Sequence, residues 1–394
     1  MTIHSEATGA SGRPGRDTIG TIEDLHASAT KLTGLDDFGP DDYRDALEVL
    51  LDSYQREAGL TPWGNKSVRA SLRGALVARS LAEAAWTQYP EHAEVTIEQP
   101  VFVTGIPRTG TTALHRLLCA DPSHQGLEMW LTEAPQPRPS AESLGDNSDY
   151  QALRARFERF NSTHPDFAGV HYVTADTVEE CWRLLHQSMR SISFESLAHI
   201  PSYSRWLAGQ DWTETYQRYK RNLQLIGLND QDRHWVLKNP CHLVALDAIM
   251  AVFPDALIVV THRDPRIAVA SACSLSAQAR DGESTVFRGA VIGRDQIDLL
   301  SREAQIFAAA RAKYDPAQFI DVQYQDFASD PLGTVEGVYR HFGLPLLAEA
   351  REAIASAHAD SLRGERRPSH HYTLEEFGLT PEEVTERFAG YAAG

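Results

Sequence analysis

The stretch that most limits what this chain can become is Val101-Phe-Val-Thr-Gly-Ile-Pro-Arg-Thr-Gly-Thr-Thr112, where an apolar run ends in a glycine-punctuated turn. A helical apolar pattern, Ala113 to Leu118, follows at once. Strand, glycine loop and helix in that order build a phosphate cradle, because glycines let backbone amides point inward and the helix amino end adds partial positive charge. The spacing of Gly105 and Gly110 is that of a P-loop. Thr111 nevertheless stands where a nucleoside triphosphatase carries its lysine, and Arg108 lies inside the loop. The site is expected to hold phosphate without the usual Mg-triphosphate machinery.

Around this stretch, apolar strands alternate with helical patterns. His234 to Lys238, Ala256 to Thr261 and Phe319 to Val322 read as strands after Thr96 to Thr104, with helices expected over Leu243 to Val252, Ile267 to Gln278, Gln296 to Lys313 and Val335 to Phe342. That order predicts an α/β fold, a P-loop-type parallel sheet flanked by helices, with ligand at the carboxyl ends of the strands. Ile22 to Leu35, Tyr43 to Gly59 and Val68 to Tyr89 form a helical amino-terminal region within residues 21 to 95. Residues 149 to 229 form a helical, substrate-facing insertion that includes Thr177 to Arg190 and Thr213 to Leu228. Residues 1 to 20 lack apolar periodicity and are expected to be a disordered tail, leaving 21 to 394 as a single domain.

Composition narrows the partners. The net charge of −17 argues against nucleic acid and anionic membrane, so any anionic ligand needs a local basic pocket. No apolar run approaches the roughly 20 residues that span a bilayer, and no signal core opens the chain, which places it in the cytoplasm. The four cysteines show no paired metal spacing and are expected as buried free thiols. His370 and His371 lack further ligands at metal spacing, so no metal is expected. Association into a homo-oligomer is left open.

Two kinase-like triplets are coincidental. His262-Arg263-Asp264 and Asp37-Phe38-Gly39 occur in the wrong order, and Val269 stands where the catalytic-loop Asn belongs. Read physically, Arg263 ends a buried strand, Pro265 opens the next helix and Ser271 lies about two turns along it, so the pair can grip a phosphate from two sides. Together with the loop they imply a ligand carrying phosphates at two separated places, which suits a bisphosphorylated nucleotide.

On these residues the chain resembles sulfotransferases that use 3′-phosphoadenosine 5′-phosphosulfate (PAPS), of the bacterial type whose loop reads Pro-Arg-Ser/Thr-Gly-Thr-Thr, here Pro107 to Thr112. The resemblance covers about residues 100 to 343. It implies that Arg108, Thr109, Gly110, Thr111 and Thr112 hold the 5′-phosphosulfate, and that Arg263 and Ser271 hold the 3′-phosphate. Tyr324, in Tyr324-Gln-Asp-Phe, resembles the family's Tyr-Glu-Asp-Leu segment. Lys238, in Val236-Leu-Lys-Asn-Pro240, resembles its Lys-Asp-Pro segment, with Asn239 in place of Asp. PAPS is then the donor, no metal is needed, and a small hydroxyl compound is the acceptor.

Sulfuryl transfer needs a base, cations at the transferring group and stabilisation of the departing phosphate. Arg108 and Lys238 are the expected cations. Glu128 is the expected base, since in resembling enzymes a Glu at this distance after the loop helix has that role; Leu127, Met129 and Trp130 give it an apolar setting. His124 is the rival. Glu179 and Glu180 are read as first-turn residues of a helix, there for its dipole or to grip substrate. His171 and Tyr172 are read as lining the acceptor pocket or as a packed pair. Arg363, Arg366 and Arg367 are read as closing over the 3′-phosphate or as a solvated charge run. Trp182, Phe194, Tyr203, Trp206, Trp212 and Tyr216 in the insertion favour an aryl, lipid-like or polyketide alcohol. From the loop alone, an ATP-dependent small-molecule kinase and a non-catalytic nucleotide-binding protein are the alternatives.

Overall fold

The computed structural model describes residues 18–163, 174–363 and 372–391. Residues 1 to 17 of the expected tail, His171, Tyr172, Gly364, Arg366, Arg367, His370 and His371 lie outside the described residues.

Five parallel strands form one sheet in the order β2-β3-β1-β4-β5. They are β1 (Val101–Thr104), β2 (His124–Gln125), β3 (His234–Lys238), β4 (Leu257–His262) and β5 (Phe319–Gln323). The central strand β1 pairs with β3 through Val101 and Val236 and with β4 through Val101 and Leu257. Every residue of β1 and β4 is buried, as expected where helices cover both faces of a parallel sheet.

The pleat divides the core in two. Val101, Val103, Val236 and Val259 join Leu114, Leu117 and Leu118 of the loop helix with Val335, Val338 and Tyr339 on one face. Phe102, Leu237, Ile258 and Val260 face the larger core that continues into the amino-terminal helices and the insertion. Alternate residues of each strand thus serve opposite layers. Phe102 shows the fit, with its ring 4.9 Å from His242 and 5.5 Å from Phe253.

The expected elements are present with revised limits. The first strand begins at Val101 rather than Thr96, because Gln99 takes φ 43 and Pro100 follows it, a pairing that breaks extended geometry just before the sheet. The third amino-terminal helix begins early, at Pro62, with the Thr61 hydroxyl accepting from the Gly64 amide. The helix expected over Thr177 to Arg190 shrinks to Trp182–His186. Residues 177 to 180 instead run as a strap ahead of the helix: the Met129 amide donates to the Thr177 carbonyl, Glu179 donates to Leu127, and Cys181, the helix N-cap, donates to Lys238. No helix among the described residues is long and apolar enough to cross a membrane.

Candidate active site

At the carboxyl end of β1 the chain turns through Gly105 (φ 151), Arg108 (φ 73) and Gly110 (φ 93) before the helix Thr111–Leu118 begins. A side chain at Gly105 would put a Cβ 2.5 Å from the Thr261 carbonyl oxygen, so β4 presses directly against the loop. Thr109 braces it from beneath: its hydroxyl donates to the Ile106 carbonyl (2.8 Å) and lies 2.6 Å from the Thr261 hydroxyl. That hydroxyl is committed to the loop itself, so Thr109 has only its backbone amide to offer a ligand. Gly110 leaves the helix without a side-chain cap, and its first amides remain available to an anion.

A second anchor stands beside the loop. Arg263, one residue beyond β4, donates from Nη1 to the Arg108 carbonyl (3.0 Å), and its guanidinium lies 4.2 Å over the Tyr324 ring. Tyr324 begins the helix after β5 and is itself pressed against Gly110, where an added Cβ would lie 3.1 Å from the ring. Ser271, on the helix Pro265–Ala279, accepts from Arg108 Nε at 3.0 Å. Asp264 caps that helix through the Arg266 amide (2.9 Å), with Pro265 in its first turn. Arg108, Gly110, Arg263, Ser271 and Tyr324, far apart in sequence, thereby form one contiguous set.

The third part lies at the end of β3. Lys238 is 2% exposed; its Nζ donates to the Thr112 hydroxyl (3.0 Å) and to the Glu180 carboxylate. The strap brings Glu180 here. Buried His115 and His242 flank the lysine. Desolvation, with Lys238 as the next cause, lowers both imidazoles to about 3, so both are neutral at neutral pH. Arg108, expected with Lys238 at the transferring sulfuryl group, donates from Nε to the Ser271 hydroxyl.

His124 lies apart from this cluster, and the Glu128 carboxylate is held by Arg138. Arg138, from the proline-rich loop after the helix Met129–Glu133, donates to the Glu128 carboxylate three times, at 2.9, 3.2 and 3.0 Å. Arg138 also donates to Gln125, Asp230 and the Gly126 carbonyl. Although burial opposes its charge, Glu128 and Asp230 outweigh that cost and raise its pKa. His124 pairs with His234 at the amino end of β3, four residues and about 13 Å of strand from Lys238. Its Nδ1 lies 2.8 Å from the Leu118 carbonyl, its ring stacks on Tyr339, and burial depresses its pKa.

The remaining candidates separate as well. Glu179 and Glu180 precede the helix rather than opening it, which corrects the helix-dipole reading. Glu179 lies 4.0 Å from Arg116, while Arg363 pairs with Asp360 on its own helix and stands in solvent. Among the described residues no group of three or more His, Cys, Asp or Glu is placed to hold a metal ion.

Loop, second anchor and sheet together define an α/β protein with a glycine loop and a helix amino end at the carboxyl edge of its parallel sheet. A family model described as the sulfotransferase family matches residues 100–349, and the chain belongs to that family. Its structure is similar to that of sulfotransferase STF1 from Mycobacterium tuberculosis H37Rv, with TM-score 0.89 and 57% identity over 95% of this chain and 100% of that one. Sulfotransferase STF9 from Mycobacterium avium is similar with TM-score 0.86 and 28% identity, covering 97% of each chain. Omega-hydroxy-beta-dihydromenaquinone-9 sulfotransferase Stf3, from Mycobacterium bovis and Mycobacterium tuberculosis, is 25% identical over 317 residues, 75% of this chain and 76% of its own length. The chain is an enzyme, a sulfotransferase.

Proposed function

We propose that the enzyme moves the sulfuryl group of PAPS to a hydroxyl of a small, largely apolar or aromatic acceptor by in-line displacement. The observation that carries the reading is the meeting of Lys238, Glu180 and the Thr112 hydroxyl at the junction of the loop helix and β3. A buried cation, a carboxylate and an anion-binding helix end are what transfer to a hydroxyl requires in one place.

The residues present suit the donor. The Gly110 to Thr112 amides and the Thr112 hydroxyl take the 5′-phosphosulfate end, with Lys238 beside it. Arg263, steadied on Tyr324, and Ser271 take the 3′-phosphate, and Arg108 bridges the two ends. Glu180 accepts the acceptor's proton; this role passes to it from Glu128, whose carboxylate is occupied by Arg138. When bound, PAPS supplies the activated sulfuryl group, and the protein's part is positioning, charge stabilisation and proton removal.

Two observations support an apolar acceptor. Trp182, His186, Phe194, Tyr203 and Trp206 form a continuous aromatic series beginning two residues after Glu180, with successive centroids 4.8, 4.1, 6.1 and 5.9 Å apart. The relative Stf3 is named for a hydroxylated menaquinone. The test is sulfation of 2-naphthol and farnesol with labelled PAPS, beside adenosine 3′-phosphate 5′-phosphate (PAP) binding measured by calorimetry. PAP binding with sulfated product supports the reading; stabilisation by ATP with Mg and none by PAP points to a kinase and overturns it.

A further inference from the structure

The left-handed backbone of Met189 leads to a residue outside the family-matched segment. Met189 is fully buried and takes φ 53, a conformation a non-glycine side chain rarely adopts and one that persists only where surroundings enforce it. It lies in the tight turn Gln187 to Arg190, directly after the helix Trp182–His186 that starts beside Glu180 and directly before the helix Ile192–Glu195. The turn joins His186 to Phe194, the closest ring pair of the aromatic series.

The amino-terminal helices pin this turn. Arg79, fully buried on the helix Pro62–Gln88, donates from Nη1 to the Gln187 carbonyl at 3.0 Å. Its other nitrogens donate to the Phe38 carbonyl (2.5 Å), the Pro40 carbonyl (2.7 Å) and Asp42, and its guanidinium lies 4.2 Å over the Tyr43 ring. Arg218 donates to Gln187 Oε1 (3.0 Å) and to the Arg79 carbonyl (3.3 Å), and Asn222 also donates to Gln187 Oε1 (3.1 Å). Arg190 leads back to the Asp42 carbonyl (2.6 Å) and to Asp45. On the far side the Tyr203 hydroxyl donates to the Met189 carbonyl at 2.8 Å. Such a planar, multidentate donor fixes three carbonyls at once, which a lysine does not do.

Resting on the reading above, in which the face beside Glu180 admits the acceptor, we propose that Arg79 is a positioning residue for the acceptor wall. It holds Met189 left-handed and so sets the helix Trp182–His186 against the helix Ile192–Glu195. Since the family model begins at residue 100, this control of acceptor fit comes from the amino-terminal helices, while nucleotide binding stays within the family segment.

The test compares the full chain with Arg79→Lys and with Arg79→Lys combined with Met189→Gly. Arg79→Lys is expected to raise amide exchange over residues 187 to 195 at least tenfold and KM for 2-naphthol at least fivefold, with the Kd for PAP unchanged within twofold. Glycine adopts positive φ without being forced, so adding Met189→Gly is expected to return KM to within twofold of the parent. The proposal is overturned if PAP affinity falls in step with KM, if exchange over 187 to 195 does not change, or if glycine gives no recovery. A parent chain that binds no PAP overturns the functional reading beneath the proposal, and the exchange comparison separately decides whether Arg79 sets the turn.

Discussion

Replacing Glu180 by Gln tests the assignment of the base, and Glu128→Gln is its natural control. The Glu180 carboxylate contacts Lys238, whose side chain is 3% exposed, so the substitution removes both a proton acceptor and the charge that neutralises the lysine. General-base catalysis is worth about 10²- to 10⁴-fold, or roughly 3 to 5 kcal/mol of barrier, and kcat is expected to fall by that factor. Binding moves the other way. With Lys238 no longer neutralised, its attraction for a nearby phosphate is no longer offset, so PAP binds equally or more tightly. Glu128→Gln instead weakens the three hydrogen bonds from Arg138, whose side chain is 10% exposed. That costs about 1 to 3 kcal/mol of stability and leaves kcat within about threefold. Steady-state turnover, PAP calorimetry and thermal denaturation on both variants separate these effects. Turnover by Glu180→Gln within threefold of the parent, or a hundredfold loss confined to Glu128→Gln, refutes the assignment.

Three further outcomes follow from the same contacts. Arg263→Ala removes a charge-assisted phosphate contact worth about 1.5 to 3 kcal/mol, so PAP affinity is expected to fall roughly 10- to 150-fold while AMP affinity changes little; equal losses by calorimetry contradict the 3′-phosphate role. Gly105→Ala places a Cβ 2.5 Å from the Thr261 carbonyl oxygen, and PAP affinity is expected to drop at least about tenfold with the circular dichroism spectrum retained; unaltered affinity shows that the loop is not held by β4 as described. Glu303 is fully buried, neither carboxylate oxygen has a hydrogen-bond partner among the described residues, and burial pushes its pKa well above the usual 4.5. Its contribution to stability is present below that ordinary value and is lost as pH rises through the elevated folded value, because the unfolded chain then ionises more readily. Glu303→Met is therefore expected to exceed the parent in melting temperature by a margin that grows from pH 4 toward pH 8; a difference independent of pH excludes this origin.

The sheet was legible because its inner strands are continuous apolar runs, and the loop because Gly105 and Gly110 sit where only glycine serves the turn. Arg263 with Ser271 was legible for a similar reason: a strand end and the following helix fix their separation. Other features depend on partners distant in sequence. Thr177 to Arg190 carries Val178, Cys181, Leu184 and Leu185 at helical spacing, yet Thr177 accepts from the Met129 amide while Glu179 and Cys181 donate to the Leu127 and Lys238 carbonyls, so tertiary pairing overrides the local pattern. That override turns Glu180 toward Lys238. The Arg138 contact on the Glu128 carboxylate comes from ten residues away, in a loop without periodicity, so no local pattern announces it. Strand β2 is two residues long, too short for any alternation to register.

If the loop and the Arg263 anchor together hold a nucleotide phosphorylated at both the 3′ and 5′ positions, the parent chain binds such a nucleotide without a metal. Calorimetry of the parent chain with PAP in EDTA, set beside ATP with Mg, tests it most directly. Saturable one-to-one binding of PAP without metal is expected, with ATP and Mg binding at least about tenfold more weakly; tight binding of ATP that requires Mg, with none of PAP, rules this site out.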